Sequence, residues 1–407
     1  MKVLKILFKS DLRDKLLFSL LMILLFRILS HIPVPFIDTN NLVLMGNSDI
    51  LGLLNIFSGG ALHNFTIMAT GISAYISASI VIQLLSYFIP SVHMMVRSPG
   101  GDKKVKKITI VLGIIIALIS SVVTTKTMNS YYSLLTNTSW YAYLIIAVLH
   151  AIGTGIAIFI GETITEKGFG NGMSLLVCIN VLSSIPTTIA RITSSDINIF
   201  PLLTMITFAI IVILLTIVAE TSERKIPLFY PRAAARGQYS KDSMFYPIKL
   251  NVSGVMPIIF ASYIIQLLAL LGKMNNKVGE TISSFIRSDS IVYIILFTAL
   301  IFGFTYLYSL ISFDAKEVSE NIQKNGAVIP SIRPGKETAN YITDIRKSIT
   351  TISAVYLSFI YFVPTIVLTM LDVNFITATS IIILVGVSIE TCKALKVEIQ
   401  LRDYKTL

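Results

Sequence analysis

Charge is what this sequence has least of. Lysine, arginine, aspartate and glutamate make up 14% of its 407 residues, while 54% are hydrophobic. Soluble globular chains carry roughly a quarter charged residues, so this chain cannot cover an aqueous surface in the usual way. Lipid as the solvent over most of the perimeter accounts for the deficit. Cysteine is nearly absent: Cys178 and Cys392 both lie in or beside apolar helical stretches, with no Cys-x-x-Cys spacing. That argues against a disulfide framework or a thiolate metal centre. Four histidines, His31, His63, His93 and His150, are scattered and form no ligand pair, so they read as structural or loop-exposed. A cluster of His, Asp and Glu, a nucleophile motif and a phosphate-binding loop are all missing. The expectation is a protein with no metal, no cofactor and no enzymatic chemistry of its own.

Long apolar runs are what the sequence has in abundance. A helix crossing a bilayer needs about 20 mostly apolar residues. Ten candidates occur: Leu16–Val34, Ile67–Ile89, Ile108–Thr125, Tyr141–Ile160, Met173–Ala190, Phe200–Ala219, Val252–Leu271, Ser290–Ile311, Ile349–Leu371 and Phe375–Cys392. Length alone would suggest two or three soluble domains, and these runs overrule it. The fifth and tenth are weakest, since Asn180 interrupts one and Glu390 stands at the end of the other. Weak spans are expected where helices line water or one another. Lys2, Lys5 and Lys9 give the first run a superficial likeness to a signal peptide. It is too long for one and ends in His31-Ile-Pro-Val-Pro35, not a small-residue cleavage site, so a retained first membrane helix is expected.

Orientation follows from the positive charges. With the N-terminus inside, the outside segments hold only Lys126, Arg191, Lys273, Lys277 and Arg287; Arg27 lies within the first run, and every other lysine and arginine falls inside. The ratio is about five to one, a strong positive-inside signal that puts both termini in the cytoplasm of a cell-membrane protein. It also accounts for the net charge of +11 without a nucleic-acid surface. Two inside loops, about 220–251 and 313–348, are long, basic and punctuated by Gly and Pro. Long connections are often functional; the alternatives here are a solvated connector and a docking surface for a cytosolic partner.

The stretch 51–67 carries the most information. Leu51-Gly-Leu-Leu-Asn-Ile-Phe57 is apolar but too short to cross, Ser58-Gly59-Gly60 breaks it, and a full span begins near Ile67. Such a segment suits a re-entrant element, because non-helical backbone at membrane depth is tolerated only inside protein or beside a water-filled cavity. An interfacial helix lying flat on the outer surface is the alternative.

Asn55-Ile-Phe-Ser-Gly-Gly-Ala-Leu62, Gly71-Ile72 and Tyr75-Ile-Ser-Ala-Ser-Ile80 together resemble the plug and second helix of the SecY family. Four further blocks follow in family order. Gly161-Glu-Thr-Ile-Thr-Glu-Lys-Gly-Phe-Gly-Asn-Gly172 resembles the start of the fifth helix. Arg224-Lys-Ile-Pro227 through Pro247-Ile-Lys-Leu-Asn251 resembles the loop between helices six and seven. Gly254-Val-Met-Pro-Ile-Ile-Phe-Ala-Ser262 resembles the seventh helix, and Ala327-Val-Ile-Pro-Ser-Ile-Arg-Pro-Gly335 with Thr338-Ala339 and Tyr341-Ile342 the large cytosolic loop. One block is a weak signal; five in register over nearly the whole chain are specific.

The resemblance implies an all-α integral membrane fold: ten transmembrane helices in two inverted five-helix halves, 1–192 and 193–407, around a central pore with a plug near 51–62. It implies a pore ring of Ile72, Ile76, Val177, Val181, Ile259 and Ile383. Aliphatic side chains at a constriction exclude water and ions by dewetting, and the i, i+4 spacing of Ile72/Ile76 and Val177/Val181 puts each pair on one helix face. Taken singly, each is equally at home facing lipid or core. Leu51, Leu54, Phe57, Gly59 and Gly60 fall in the plug, Ser77 and Leu267 on a lateral gate between the second and seventh helices, and Arg333 with Arg232 and Arg236 on the motor-binding loops. The implied function is the central channel of a Sec-type protein translocase passing unfolded secretory proteins. Implied partners are SecE-like and SecG-like small membrane subunits or accessory equivalents, a SecA-type motor ATPase, the ribosome and membrane lipid.

Departures from the family pattern are Ala74, where proline is frequent, Thr377-Ala-Thr-Ser380, where glycines are common, a divergent 97–107 loop, and shortness at the loops and tail. They suggest an accessory SecY of the Gram-positive type, exporting glycosylated serine-rich adhesins. Rival functions fare less well. A secondary transporter predicts ionisable residues facing a midplane site, and mid-span charge is nearly absent apart from Arg27. Glu162 and Glu166 share a helix face but sit at the inner membrane edge beside Gly168 and Gly170, which fits structural residues better than a catalytic pair. An insertase without a pore needs neither plug nor aliphatic ring.

Overall fold

A computed structural model of the chain describes residues 10–38, 58–62, 64–98, 100–194, 199–230, 245–272, 290–371 and 378–405. Each of the ten apolar runs lies on a helix. The first five map to α1 (Ser10–Leu29), α2 (Gly71–Phe88), α4 (Gly101–Tyr132), α5 (Trp140–Lys167) and the pair α6 (Gly172–Ser183) and α7 (Ile185–Ser194), with a short helix α3 (Pro90–Arg97) between α2 and α4. The second five map to α8 (Ile199–Thr221), α9 (Met256–Gly272), α10 (Ile291–Ser312), α12 (Lys336–Met370) and α13 (Ala378–Lys405), with α11 (Ala315–Lys324) ahead of α12. Among the described residues, eight stretches are long and apolar enough to cross a membrane. α1 misses that measure because Asp11, Arg13, Asp14, Lys15 and Arg27 load it with charge, and α9 because its apolar stretch, Met256–Ile265, is short.

Local chemistry sets the helix ends. Asn171 caps α6, its side chain accepting from the amides of Met173 and Ser174. Ser290 caps α10 and Asp314 caps α11 in the same way. The fifth run, expected as one span, divides after Ser183: Pro186 has no amide hydrogen to continue the ladder, and α7 starts with it in the first turn. Glycine brings backbones close. A Cβ on Gly172 would lie 2.0 Å from the Gly161 carbonyl oxygen, so α5 and α6 meet at a contact that only a hydrogen side chain permits. α2, α4 and α5 pack on one another, with α1 and α6 on α5; α10 packs on α9 and α12, and α8 on α12 and α13. Leu17, Leu20, Leu21, Leu24 and Ile28 of α1 and Phe200, Leu203, Leu214 and Val218 of α8 are exposed, as a lipid solvent allows.

The two long loops hold an addition to the expected all-helical fold. β1 (Glu223–Pro227) and β2 (Phe245–Lys249) pair antiparallel, with Arg224 opposite Ile248 and Ile226 opposite Tyr246. Ile226 and Ile248 turn inward and join Ala315, Ile322, Ala327, Ile329, Ile342 and Ile349 in one apolar cluster. The two loops, 100 residues apart in places, therefore share a core outside the helix assembly.

Candidate functional site

After the last helical residue, Ser58, residues 59–62 and 64–70 run mostly as turns and bends leading into α2. Ala61, Leu62, Phe65, Thr66, Met68 and Ala69 are buried. Buried backbone needs internal partners for its polar groups, and most of the amides here have one. The amides of Ala61, Asn64, Phe65, Thr66 and Ala69 donate to carbonyls within the segment, and Val34 and Ile67 exchange bonds with Phe65 and Ile32 at 3.1 and 3.0 Å. The apolar stretch 51–57, where the choice between a re-entrant element and an interfacial helix lies, falls outside the described residues. Gly153 of α5 makes room for the described turns: a Cβ there would lie 2.1 Å from the Ile67 carbonyl oxygen. On the far side Ser121 and His150 meet at 2.6 Å, and Thr70 bonds Thr154 at 3.2 Å, so His150 joins α4 to α5 beside Phe65.

The Gly59-Gly60 turn is the most constrained point. The Gly59 carbonyl accepts from Arg27 Nη1 of α1 and from Ser183 Oγ of α6, both at 3.1 Å. Its φ is +64°, and a Cβ there would meet Asn180 Oδ1 at 2.7 Å, Ser183 Oγ at 2.8 Å and Arg27 Nη1 at 2.9 Å. Gly60, at φ +86°, has open space in the corresponding direction. Leu51, Leu54 and Phe57 lie outside the described residues. Arg27, Asn180 and Ser183 were not singled out as partners of this turn. The signal available was polar side chains inside apolar runs.

Ile72 and Ile76 stand one turn apart on α2, Val177 and Val181 on α6, Ile259 near the start of α9, and Ile383 on α13. Five are buried and Ile76 is half-buried; all six belong to one apolar cluster that also takes in Ala61 and Met68 of the turns before α2. The cluster draws on many elements and takes in aromatic residues as well, among them Phe26, Phe260 and Phe297. α9 touches α2 and α4, and α13 touches α6 and α9. Gly386 of α13 sits against Val255, where a Cβ would come within 2.3 Å. Ser77 is half-buried on α2, its hydroxyl donating to the Ser73 carbonyl at 3.0 Å. Leu267 is on α9, but its side chain lies outside what is described. Ala74 is buried in an unbroken α2, and Ala378 and Thr379 are buried at the start of α13.

Arg333 is exposed, next in sequence to Ile332, which packs against the apolar cluster of the two long loops. Its backbone is fixed: Thr338 Oγ1 donates to the Arg333 carbonyl at 2.9 Å, Ser319 Oγ to the Gly335 carbonyl at 3.0 Å, and Ser331 is held at φ +68°. Phe229 and Val328 pair as an isolated bridge beneath. Arg232 and Arg236 lie outside the described residues. Glu162 and Glu166 both pair with Lys106, at 3.2 and 3.5 Å, tying α4 to α5.

Comparison with known proteins gives one answer. The SecY family model matches residues 66–392. The protein translocase subunit SecY of Streptomyces galbus is 33% identical, covering 97% of this chain and 96% of its own length; that of Helicobacter pylori strain 26695 is 32% identical, covering 97% of each. Among solved structures, a protein-conducting channel is similar with a TM-score of 0.71 at 18% identity, over 96% of this chain and 93% of that one. Sec61 in the canine ribosome–channel complex of the endoplasmic reticulum is similar with a TM-score of 0.68 at 18% identity, over the same shares. With a family model spanning most of its length and relatives at this identity end to end, the chain belongs to the SecY family of protein translocase subunits.

Proposed function

We propose that this chain is the channel-forming subunit of a Sec-type translocase, a multi-pass pore that conducts unfolded secretory proteins across the cell membrane and opens sideways to lipid. The observation that supports the reading is that Ile72, Ile76, Val177, Val181, Ile259 and Ile383, from four helices, all belong to the main apolar cluster, which also takes in Ala61 next to the Gly59-Gly60 turn. A ring of aliphatic groups has nothing with which to hydrogen-bond a passing chain, and it excludes water when empty. Residues near 51–62 act as the plug. α2 and α9, each on its own side of a seam, part at Ser77 and Leu267. The halves are 1–192 and 193–407, and both termini face the cytoplasm.

The channel performs no chemistry, so its driving force comes from partners. A SecA-type motor engages the shared cytosolic core through Arg333, Arg232 and Arg236, and ribosome docking at the same face fits the ribosome-bound Sec61 neighbour. Small subunits of the SecE and SecG kind cover part of the exposed helix surface. The test is the ring. Asp at a lipid-facing helix centre costs on the order of 2.5–3.5 kcal/mol, but water in a pore offsets much of that. Ile76→Asp and Ile259→Asp are expected to insert normally and to raise ion conductance in planar bilayers. Variants that insert and conduct no more than the parent would remove the ring.

A further inference from the structure

Between β2 and α9 the chain passes from one apolar core to another. Leu250 and Val252 pack against the cluster of the two long loops, while Val255, Ile258 and Ile259 belong to the main cluster. Between them lie Asn251, only 3% exposed, and Gly254, left-handed at φ +58°. A primary amide offers two N–H donors and two acceptor lone pairs, and Asn251 uses all of them. Its Nδ2 donates to Glu220 Oε1 at the end of α8 at 2.7 Å and to the Gly254 carbonyl at 3.0 Å. Its Oδ1 accepts from Ser253 Oγ and from Ser353 Oγ of α12, both at 3.1 Å. Two more bonds close the same point. The Leu250 amide donates to the Ser222 carbonyl at 2.9 Å, and Lys393 Nζ of α13 donates to the Glu220 carbonyl at 2.6 Å.

We propose that Asn251 is a positioning residue for Ile259: it carries displacements of the two-loop body into the first turn of α9. The backbone alone transmits them poorly. A Cβ on Gly254 would meet nothing within 4 Å, so the link between Asn251 and α9 is a glycine in open space, free to swivel. The bond from Asn251 Nδ2 to the Gly254 carbonyl spans that swivel and stiffens it. Glu220 and Ser353 hold the other side of the amide against α8 and α12. Without the amide, the loops can shift while α9 stays in place. The inference rests on the ring assigned under Proposed function, which gives a movement of Ile259 its consequence, and the joint itself is read without transport.

Hydrogen–deuterium exchange of the full chain in lipid nanodiscs makes the test, with amides 256–262 reporting α9 and 291–300 as the control. Ile226→Ala loosens the two-loop core. It is expected to speed exchange at 256–262 about tenfold in the parent and to add nothing there once Asn251→Asp is present. Asn251→Asp faces Glu220 with a second carboxylate. Adding Glu220→Gln restores a donor–acceptor pair with the same net charge beside Lys393, and is expected to bring the Ile226→Ala response back. A merely structural amide would raise the baseline exchange and leave that response unchanged. Equal acceleration with and without Asn251→Asp, or none in the parent, would overturn the proposal, as would a failed rescue by Glu220→Gln. Ser353→Ala removes one donor and keeps the amide, so it carries the test if Asn251→Asp does not accumulate; the response should then be reduced, and an undiminished one counts against the joint. Failure of the channel reading shows separately, as an Ile259→Asp variant that inserts and conducts no more than the parent, and it leaves the exchange results standing.

Discussion

Gly59 and Gly60 share a left-handed backbone and differ in what surrounds them. Alanine at either position pays about 1 kcal/mol for that conformation. At Gly59 the new methyl also overlaps Asn180, Ser183 and Arg27, the last two of which bond the Gly59 carbonyl. Gly59→Ala is therefore expected to unseat the turn and raise resting ion conductance, while Gly60→Ala leaves conductance near the parent value; single-channel recording of the two side by side checks it. Arg333 makes the opposite argument, from exposure. Prolines on either side and the Thr338 and Ser319 hydroxyls fix its backbone, so its guanidinium projects from a rigid base. A topology charge is satisfied by lysine as well as arginine, but a forked contact to a partner carboxylate is not. Arg333→Lys and Arg333→Glu are both expected to insert at normal levels and to slow motor-dependent export, Glu more so, in a pulse-chase assay. Normal export by the Glu variant would return the residue to a solvated loop charge. Arg27 and Asn180 were visible in the sequence as polar residues inside apolar runs. What the sequence could not display is that Arg27 and Ser183, 156 positions apart, close on one carbonyl, because that contact depends on two helices and the turn meeting.

Helices were the most legible elements, since a bilayer demands the same unbroken apolar length of each and the sequence displays it directly. Their ends were less so. α12 begins at Lys336, well before the apolar run at Ile349, and α13 continues to Lys405 past the run's end at Cys392. Both extensions leave the apolar zone, where hydropathy no longer reports helix. The hairpin of β1 and β2 gave no usable signal: five residues a side, each with a proline, are too short for alternation to stand out. The seam between α2 and α9 carries its own prediction. Paired cysteines at Ser77 and Leu267 are expected to crosslink under oxidation and block export, with reduction restoring it. Full export through a verified crosslink would mean that these two helices need not part.

At the scale of the whole molecule, the two long loops form one body because Ile226 and Ile248 from one share a core with Ile322 and Ile342 from the other. Ile226→Asp should accordingly make the distant segment 313–335 sensitive to protease in inside-out vesicles. Cleavage confined to the loop that carries the substitution would show instead that the loops are independent. The same arrangement imposes an order on biogenesis. When the strands at 223–249 leave the ribosome, the chain that will cover them does not yet exist. Ile342 is translated about 100 residues later, which at ribosomal speed is roughly 5–20 s, and α9 and α10 must enter the bilayer during that wait. For that interval a newborn chain carries two uncovered isoleucines on an unpartnered hairpin, so the window for chaperone capture or for premature pairing with a neighbouring nascent copy closes only with the arrival of α12.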